Sequence, residues 1–521
     1  MSSFVLADDL SERKKAVLDR LSSSKQDENA PILLIMGNEA GDTDSMSSAI
    51  LSSYLLSKAI SEGDQKYSDA FPKATIIAPL VQQERRDLPL RAENQFLLSL
   101  LNISQDSLLF MDDLPKMDVL AQRSDLLLGL VDHPKLSSTW QPYSTFDKLV
   151  EVVIDHHADD GAHKDAKIRI LRGPENGAIG SAASVVVDIF KGTTQLKELP
   201  ASLADIALAA ILIDTDNLRP APRGKATEVD LEAANILLER STFGSSQRNS
   251  FVQTAVQVSG LEKFSGATIQ ADMEEQGELH VSQADTKTVL QAATQYFEIL
   301  SEKKLDVSRL NTHDLLRRDY KESVANVGTS ATDSIRAGFS SVPVGLSDWV
   351  HERHGDGEDR WNGYWKALRE WMNERKLDVA VVGTSFRELA ETGTLEERKK
   401  NGKHRRELVL AYLQKPSKGQ SLFPGLVKGL EEDAYSASLG GDESQKLELE
   451  APWKGSRRIE STGKRERVGG LEKDGQCTIL NESDAKVWIA VWRQRNARAS
   501  RKIYLPAVLH SLKLASGSRI K

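Results

Sequence analysis

The sequence predicts an α/β protein of two domains: a parallel sheet with helices on both faces, then a smaller α+β domain with a mixed sheet. Three observations lead there. Short apolar runs alternate with helical patterns over the first 235 residues. Four of those runs end in Asp or lead straight into Asp and His. A second set of strand-like runs begins near residue 337, and 521 residues are more than one compact core usually serves.

The runs read as strands are ILLIMG at 32–37, ATIIAPL at 74–80, LLLGLVD at 126–132, LVEVVID at 149–155 and the segment ending ILID at 211–214. Helical patterns at 47–62 and 181–191 separate some of them, which suggests βαβ units around a buried parallel sheet. Residues 236–310 look helical and polar and are expected to connect the domains. The second domain, 311–521, takes its strands from 337–343, 377–386, 407–413 and 486–492. Two stretches rich in Gly, Ser and charge, 393–406 and 433–475, read as long loop insertions.

Composition excludes several classes. Hydrophobic residues make up 40% and charged residues 28%, with no apolar run long enough for a membrane span and no secretory pattern at the start. Cys477 is the single cysteine, so disulfides do not hold this fold and a reducing compartment fits. The expectation is a cytoplasmic protein, with a mitochondrial pool left open. A net charge of −8 argues against general nucleic-acid binding. Basic clusters at 398–400, 403–406, 454–458 and 493–502 nevertheless mark the later half. They read as solvated surface or as an anion site facing an acidic first domain.

A parallel sheet presents its ligand site at the carboxyl ends of its strands. Asp42, Asp44, Asp132, Asp155, His156, His157 and Asp214 follow the apolar runs and would open onto one edge. Each has an ordinary alternative: Asp42 and Asp44 as caps of the helix near Ser45, Asp132-His133 as a turn exit, Asp214 as a cap. Adjacent histidines have no common structural use, and the joint occurrence is what points to chemistry. Carboxylates with imidazoles and no thiolate suit Mg²⁺ or Mn²⁺, with Co²⁺ and Zn²⁺ as further candidates. One shared carboxylate would hold two cations roughly 3.5–4 Å apart, the spacing of two-metal hydrolysis.

GNEAGDTDS, LVDHPKL, VVIDHHAD and LIDTDN, in this order, resemble the four motifs of the DHH phosphoesterase superfamily. Asn38 stands where the pyrophosphatases of that group carry His, and with the intact Asp155-His156-His157 this resembles the exopolyphosphatase branch rather than prune-type regulators. Asp319-Tyr320-Lys321 and Ser500-Arg501-Lys502 are similar to elements of that branch's second domain, DHHA2. The resemblance implies one cation on Asn38, Asp42 and Asp132, and a second on Asp44, Asp132, His156 and Asp214. It further implies His157 as proton donor or phosphate contact, with His133, Lys321, Arg501 and Lys502 toward substrate and Arg317 and Arg318 nearby. Asp155 would orient a histidine. The implied substrate is inorganic polyphosphate, cut from its end by a monomer whose cleft closes over it, with no nucleic acid or membrane partner. Pyrophosphate or short-chain hydrolysis, nucleotide hydrolysis and a regulatory protein with feeble activity are the alternatives.

Overall fold

The computed structural model describes residues 4–222, 224–260, 286–327, 334–355, 357, 359–390, 392, 401–414, 422–455, 476–480 and 486–517. The chain forms two compact units, Met1–Asp306 and Val307–Lys521.

The first unit is built on six parallel strands: β1 (Ile32–Met36), β2 (Ile76–Val81), β3 (Leu109–Phe110), β4 (Leu126–Val131), β5 (Val150–Asp155) and β6 (Ile168–Leu171). Their order is β3-β2-β1-β4-β5-β6, with every neighbouring pair parallel. Strand β1 shows why the runs carry no polar alternation. Leu33 and Ile35 join one core while Ile32, Leu34 and Met36 join the other, so both faces are buried. The first face is covered by α2 (Thr43–Glu62) and the helices Ala182–Phe190, Ala201–Asp214 and Glu228–Arg240. The second is covered more thinly, by Val17 and Leu21 of α1 (Leu6–Ser22) and by Trp140 and Phe146.

Two expectations change here. The segment ending ILID is not a strand but the last turn of the helix Ala201–Asp214, a 14-residue element buried on nearly all sides. An all-round apolar run of that length suits a buried helix as well as a central strand, and periodicity cannot separate them. Helices Arg248–Ser259 and Thr286–Leu305, in the stretch expected to connect the domains, contribute Ala255, Tyr296, Ile299 and Leu300 to the first unit's core.

The second unit carries a mixed sheet. Strands β7 (Tyr320–Asn326), β8 (Ser334–Val342), β9 (Val379–Thr384), β11 (Lys403–Gln414), β14 (Lys486–Gln494) and β12 (Leu449–Glu450) follow one another across it. β10 (Phe386–Glu388) pairs with β11, and β13 (Gln476–Leu480) with β14. Only β8 and β9 run parallel; the other pairs are antiparallel. Helices Phe423–Glu431 and Arg501–Ala515 cover one face, against Phe339, Val381, Leu408 and Leu410. Lys403–Arg406, expected in a loop, begin β11 instead, and 433–455 contain a short helix and β12. Residues 393–400 and 456–475 of the expected insertions lie outside the described residues.

Candidate metal centre

Strand order reverses between β1 and β4, and at such a switch point the connections leave in opposite directions and open a crevice. The loop after β1 supplies Asn38 and Asp42, the first turn of α2 supplies Asp44, and the exit of β4 supplies Asp132. Strand β5 ends on Asp155, followed directly by His156 and His157.

The β1–α2 loop is held by its carbonyls. Gln82 donates to Gly37 O (2.7 Å), Gln83 and Arg91 donate to Ala40 O (3.0 and 2.7 Å), and Asn94 donates to Gly41 O (2.8 Å). Gly37 is required: a Cβ there would lie 2.5 Å from the Ser45 side chain. Gly41, at φ +54°, turns the chain into α2. Asp42 then caps α2, accepting from Ser45 N at 3.0 Å. Asp44 reaches the start of helix Ala182–Phe190, where it accepts from Ala182 N (2.7 Å), Ala183 N (3.0 Å) and Ser181 Oγ (2.8 Å). Both acids therefore satisfy N–H groups at helix starts, and Asp44 also belongs to a donor set with His156 and Asp214, whereas Asp42 belongs to none among the described residues.

Asp132 sits at the centre, at φ +63°, a left-handed conformation Asp tolerates better than most residues. Its Oδ2 accepts from Asn38 Nδ2 (2.7 Å) and Ser45 Oγ (2.6 Å), and its Oδ1 lies 3.2 Å from His156 Nε2. The Asn38 side-chain oxygen accepts from Ala40 N at 2.9 Å, so in this arrangement Asn38 meets Asp132 through its NH₂. His156 directs Nδ1 to Ile179 O (3.0 Å), which turns Nε2 toward Asp132 and, at 4.0 Å, toward Asp44. His157 directs Nδ1 to Asp155 Oδ1 at 2.8 Å. Asp155 orients that histidine, while its Oδ2 has no hydrogen-bond partner among the described residues. His133 is buried, with Nδ1 on Val131 O at 2.8 Å.

Asp214 arrives from the end of its helix rather than from a strand. Asp216, Asn217 and Leu218 follow at positive φ, an uncommon run that turns the chain sharply. Beyond that turn Lys225 ion-pairs with Asp214. Lys225 escaped the sequence reading because it lies in a Gly/Pro-containing loop with no periodic signal. Lys321, Arg501 and Lys502 all belong to the second unit, where Arg501 donates to Asp319 O and Oδ1, both at 2.8 Å.

Two donor sets share His156: Asp132, Asp155, His156 and His157 in one, and Asp44, His156 and Asp214 in the other. Within each, the candidate ligand atoms lie within 4.8 Å of one another. Their electrostatics fit a cation. Burial, with the charges of Asp132 and Asp214, pushes Asp42 upward and lifts Asp44 to about 7. Burial also disfavours a charged His156, but Asp132 outweighs it and raises the imidazole to about 9. Asp132 is held well below the carboxylate range: burial opposes this, and the hydrogen bond and charge of His156 overcome it. A divalent cation among these carboxylates would offset the burial and the repulsion that raise Asp44.

The parallel sheet thus bears at its switch point a buried Asp/His group that could hold metal ions. Residues 32–211 match the DHH family, N-terminal domain, and residues 298–511 match the DHHA2 domain. The chain belongs to the DHH family, with a DHHA2 domain as its second half. A Schizosaccharomyces pombe protein assigned as an exopolyphosphatase is 24% identical over 92% of this chain and 90% of its own length. Exopolyphosphatase PRUNE1 of Bos taurus is 25% identical over 69% of this chain and 61% of its own. A Methanococcus jannaschii structure assigned as a family II inorganic pyrophosphatase is 17% identical, with TM-score 0.40, over 76% of this chain and 90% of that one.

Proposed function

We propose that this chain is an exopolyphosphatase that releases orthophosphate from the end of inorganic polyphosphate. The observation that carries the reading is the convergence of Asp44, Asp132, His156 and Asp214 beside an intact Asp155–His157 pair at the β1/β4 switch point. The likeness to the S. pombe protein over nearly the whole chain supports the substrate class.

Two cations, Mg²⁺ or Mn²⁺, would supply charge neutralisation and an activated water. Asp42 and Asp132, with Asn38, would hold one; Asp44, Asp132, His156 and Asp214 would hold the other. Asp155 keeps Nδ1 of His157 engaged, which leaves Nε2 to contact the terminal phosphate or hand a proton to the leaving oxygen. The half-open position of His157 suits that exchange. Arg501, Lys502 and Lys321, with His133, would neutralise phosphoryl oxygens as charge develops. We place this activity in the cytoplasm, in a monomer.

The test is orthophosphate release from long-chain polyphosphate, with pyrophosphate and a dinucleotide in parallel, each in Mg²⁺ or Mn²⁺. Polyphosphate should be shortened from its ends. Asp132→Ala should lose more than about 100-fold, since removing an outer partner of a metal ligand already costs about 10–100-fold. Cleavage of pyrophosphate alone would refute the substrate, and silence on all three would refute the enzyme reading.

A further inference from the structure

In the second unit, guanidiniums are matched to carboxylates at many points. Glu322 takes Arg336 at 3.2 Å and Arg375 at 2.6 Å; Glu388 takes Arg405 at 2.9 Å and Arg493 at 3.2 Å. Arg406 breaks this pattern. It is partly buried, its Nε donates to Ala497 O at 2.6 Å, and no carboxylate among the described residues pairs with it. Burial without a compensating acid pulls its pKa down.

Its neighbours share the imbalance. His404, on the same face of β11, meets Ser385 Oγ through Nε2 at 2.9 Å. Burial and the cations Arg406 and Arg387 depress its imidazole. Along the strands Phe339, Val381 and Leu410 form one apolar row, Ser341, Gly383 and Leu408 the next, and Arg406 and His404 continue the same face of β11 beyond it. Tyr504 closes one side. Its ring lies against Gly383, where a Cβ would come within 2.7 Å, and its hydroxyl meets Ser341 Oγ at 2.9 Å. That buried hydroxyl feels the charges of Arg501, of Asp319 that pairs with Arg501, and of Arg406. A partly buried guanidinium with no carboxylate carries a desolvation cost, and a bound anion beside Arg406 would remove it.

We propose that Arg406, His404 and Ser385 form an anion subsite for a phosphate neighbouring the one held by Arg501, and that this subsite favours long polyphosphate over pyrophosphate. The proposal rests on the polyphosphate reading above. The hydroxyls and imidazole supply donors to phosphate oxygens, and the Arg406 guanidinium supplies the charge. The competing possibility is that Arg406 only latches the 497–500 segment leading to Arg501.

The experiment measures affinity of the full-length, metal-free protein for long-chain polyphosphate and for pyrophosphate by calorimetry, then kcat/KM for both with metal. Arg406→Gln should lower the long-chain to pyrophosphate affinity ratio about tenfold, as for losing one charge-assisted hydrogen bond. Arg406→Lys should recover part of it, and His404→Ala should lower it about threefold. Should Arg406→Gln fail to fold, His404→Ala carries the test. Equal losses on both substrates would assign Arg406 to the latch, and no loss would remove the subsite. An equal effect from Arg498→Gln, an exposed cation nearby, would reduce the attraction to diffuse charge. If wild type releases no orthophosphate from any chain, the activity reading fails, yet the metal-free binding ratios still decide the subsite.

Discussion

The two halves carry unbalanced charge of opposite sign, and they assemble it differently. In the first unit all the acids but Asp214 come from chain segments that leave neighbouring parallel strands, and Asp214 joins them from the end of its helix. In the second unit the cations lie along strand faces and at a helix start, spread over β11 and residues 497–502. Loop-borne groups gain their position from backbone clamps such as Gln82, Arg91 and Asn94. Strand-borne groups gain theirs from the pleat. The first arrangement suits a small, hard cation needing several ligands at one point, and the second suits an extended polyanion.

The largest effect that would sharpen this contrast is expected at Asp155. One donor set admits it as a ligand, while its hydrogen bond to His157 makes it a positioning residue. Asp155→Asn should lower kcat by about 10–100-fold with metal affinity changed only a few-fold. A metal-binding titration beside the kinetics separates the two. Loss of metal affinity in proportion to kcat would make Asp155 a ligand.

A smaller effect distinguishes the two buried-acid environments by pH. Asp44 titrates near 7 in the metal-free fold against 3.8 for an ordinary Asp, so the folded state holds the extra proton and stability falls as pH rises from about 4 to 7. His156, near 9 against 6.5, gives stability present below about 6.5 that is lost as pH rises to 9. Both slopes have one sign, and a cation should abolish both because it favours ionised Asp44 and neutral His156. Glu407 offers the contrast. Burial raises it to about 7, though it accepts from Leu346 N (2.8 Å), Trp453 Nε1 (2.9 Å) and Thr384 Oγ1 (3.2 Å). Its loss of stability between about 4.5 and 7 should ignore metal. Scanning calorimetry from pH 5 to 9, chelated against Mn²⁺-loaded, should show a metal-dependent slope of a few degrees for one transition. Identical slopes with and without metal would break the comparison.

Much of the first unit was legible because its physics is local. An apolar run ending in Asp or His is visible one residue at a time, and Asp132, Asp155, His156 and His157 stand where such runs end. Asp214 was placed in the cluster for the wrong structural reason, since LAAILID is a helix whose last residue faces the same crevice. Arg406 was visible only as one member of a basic cluster. A guanidinium on an alternating strand looks like a solvated surface charge until the strand's partners are known and no carboxylate among the described residues is found to pair with it. Lys225 had no signal at all, because its importance comes from a loop that folds back on Asp214.

That loop sets the smallest test. The Lys225 side chain is 47% exposed, so its ion pair with Asp214 should add less than about 1 kcal/mol to the metal-free fold. Burial would push Asp214 upward, but Lys225 first and His156 second hold it below the usual carboxylate range. The ammonium thus already compensates the carboxylate that a cation on Asp44, His156 and Asp214 would use. Lys225→Met keeps the aliphatic stem and removes the competing charge. The expected result is a metal affinity roughly three- to tenfold higher, the scale of one partly screened charge, with stability nearly unchanged when chelated. Mn²⁺ titration followed by electron paramagnetic resonance reads this without turnover. If affinity is unaltered while KM for polyphosphate rises, Lys225 is a phosphate contact instead, and the acidic half supplies a cation of its own to substrate.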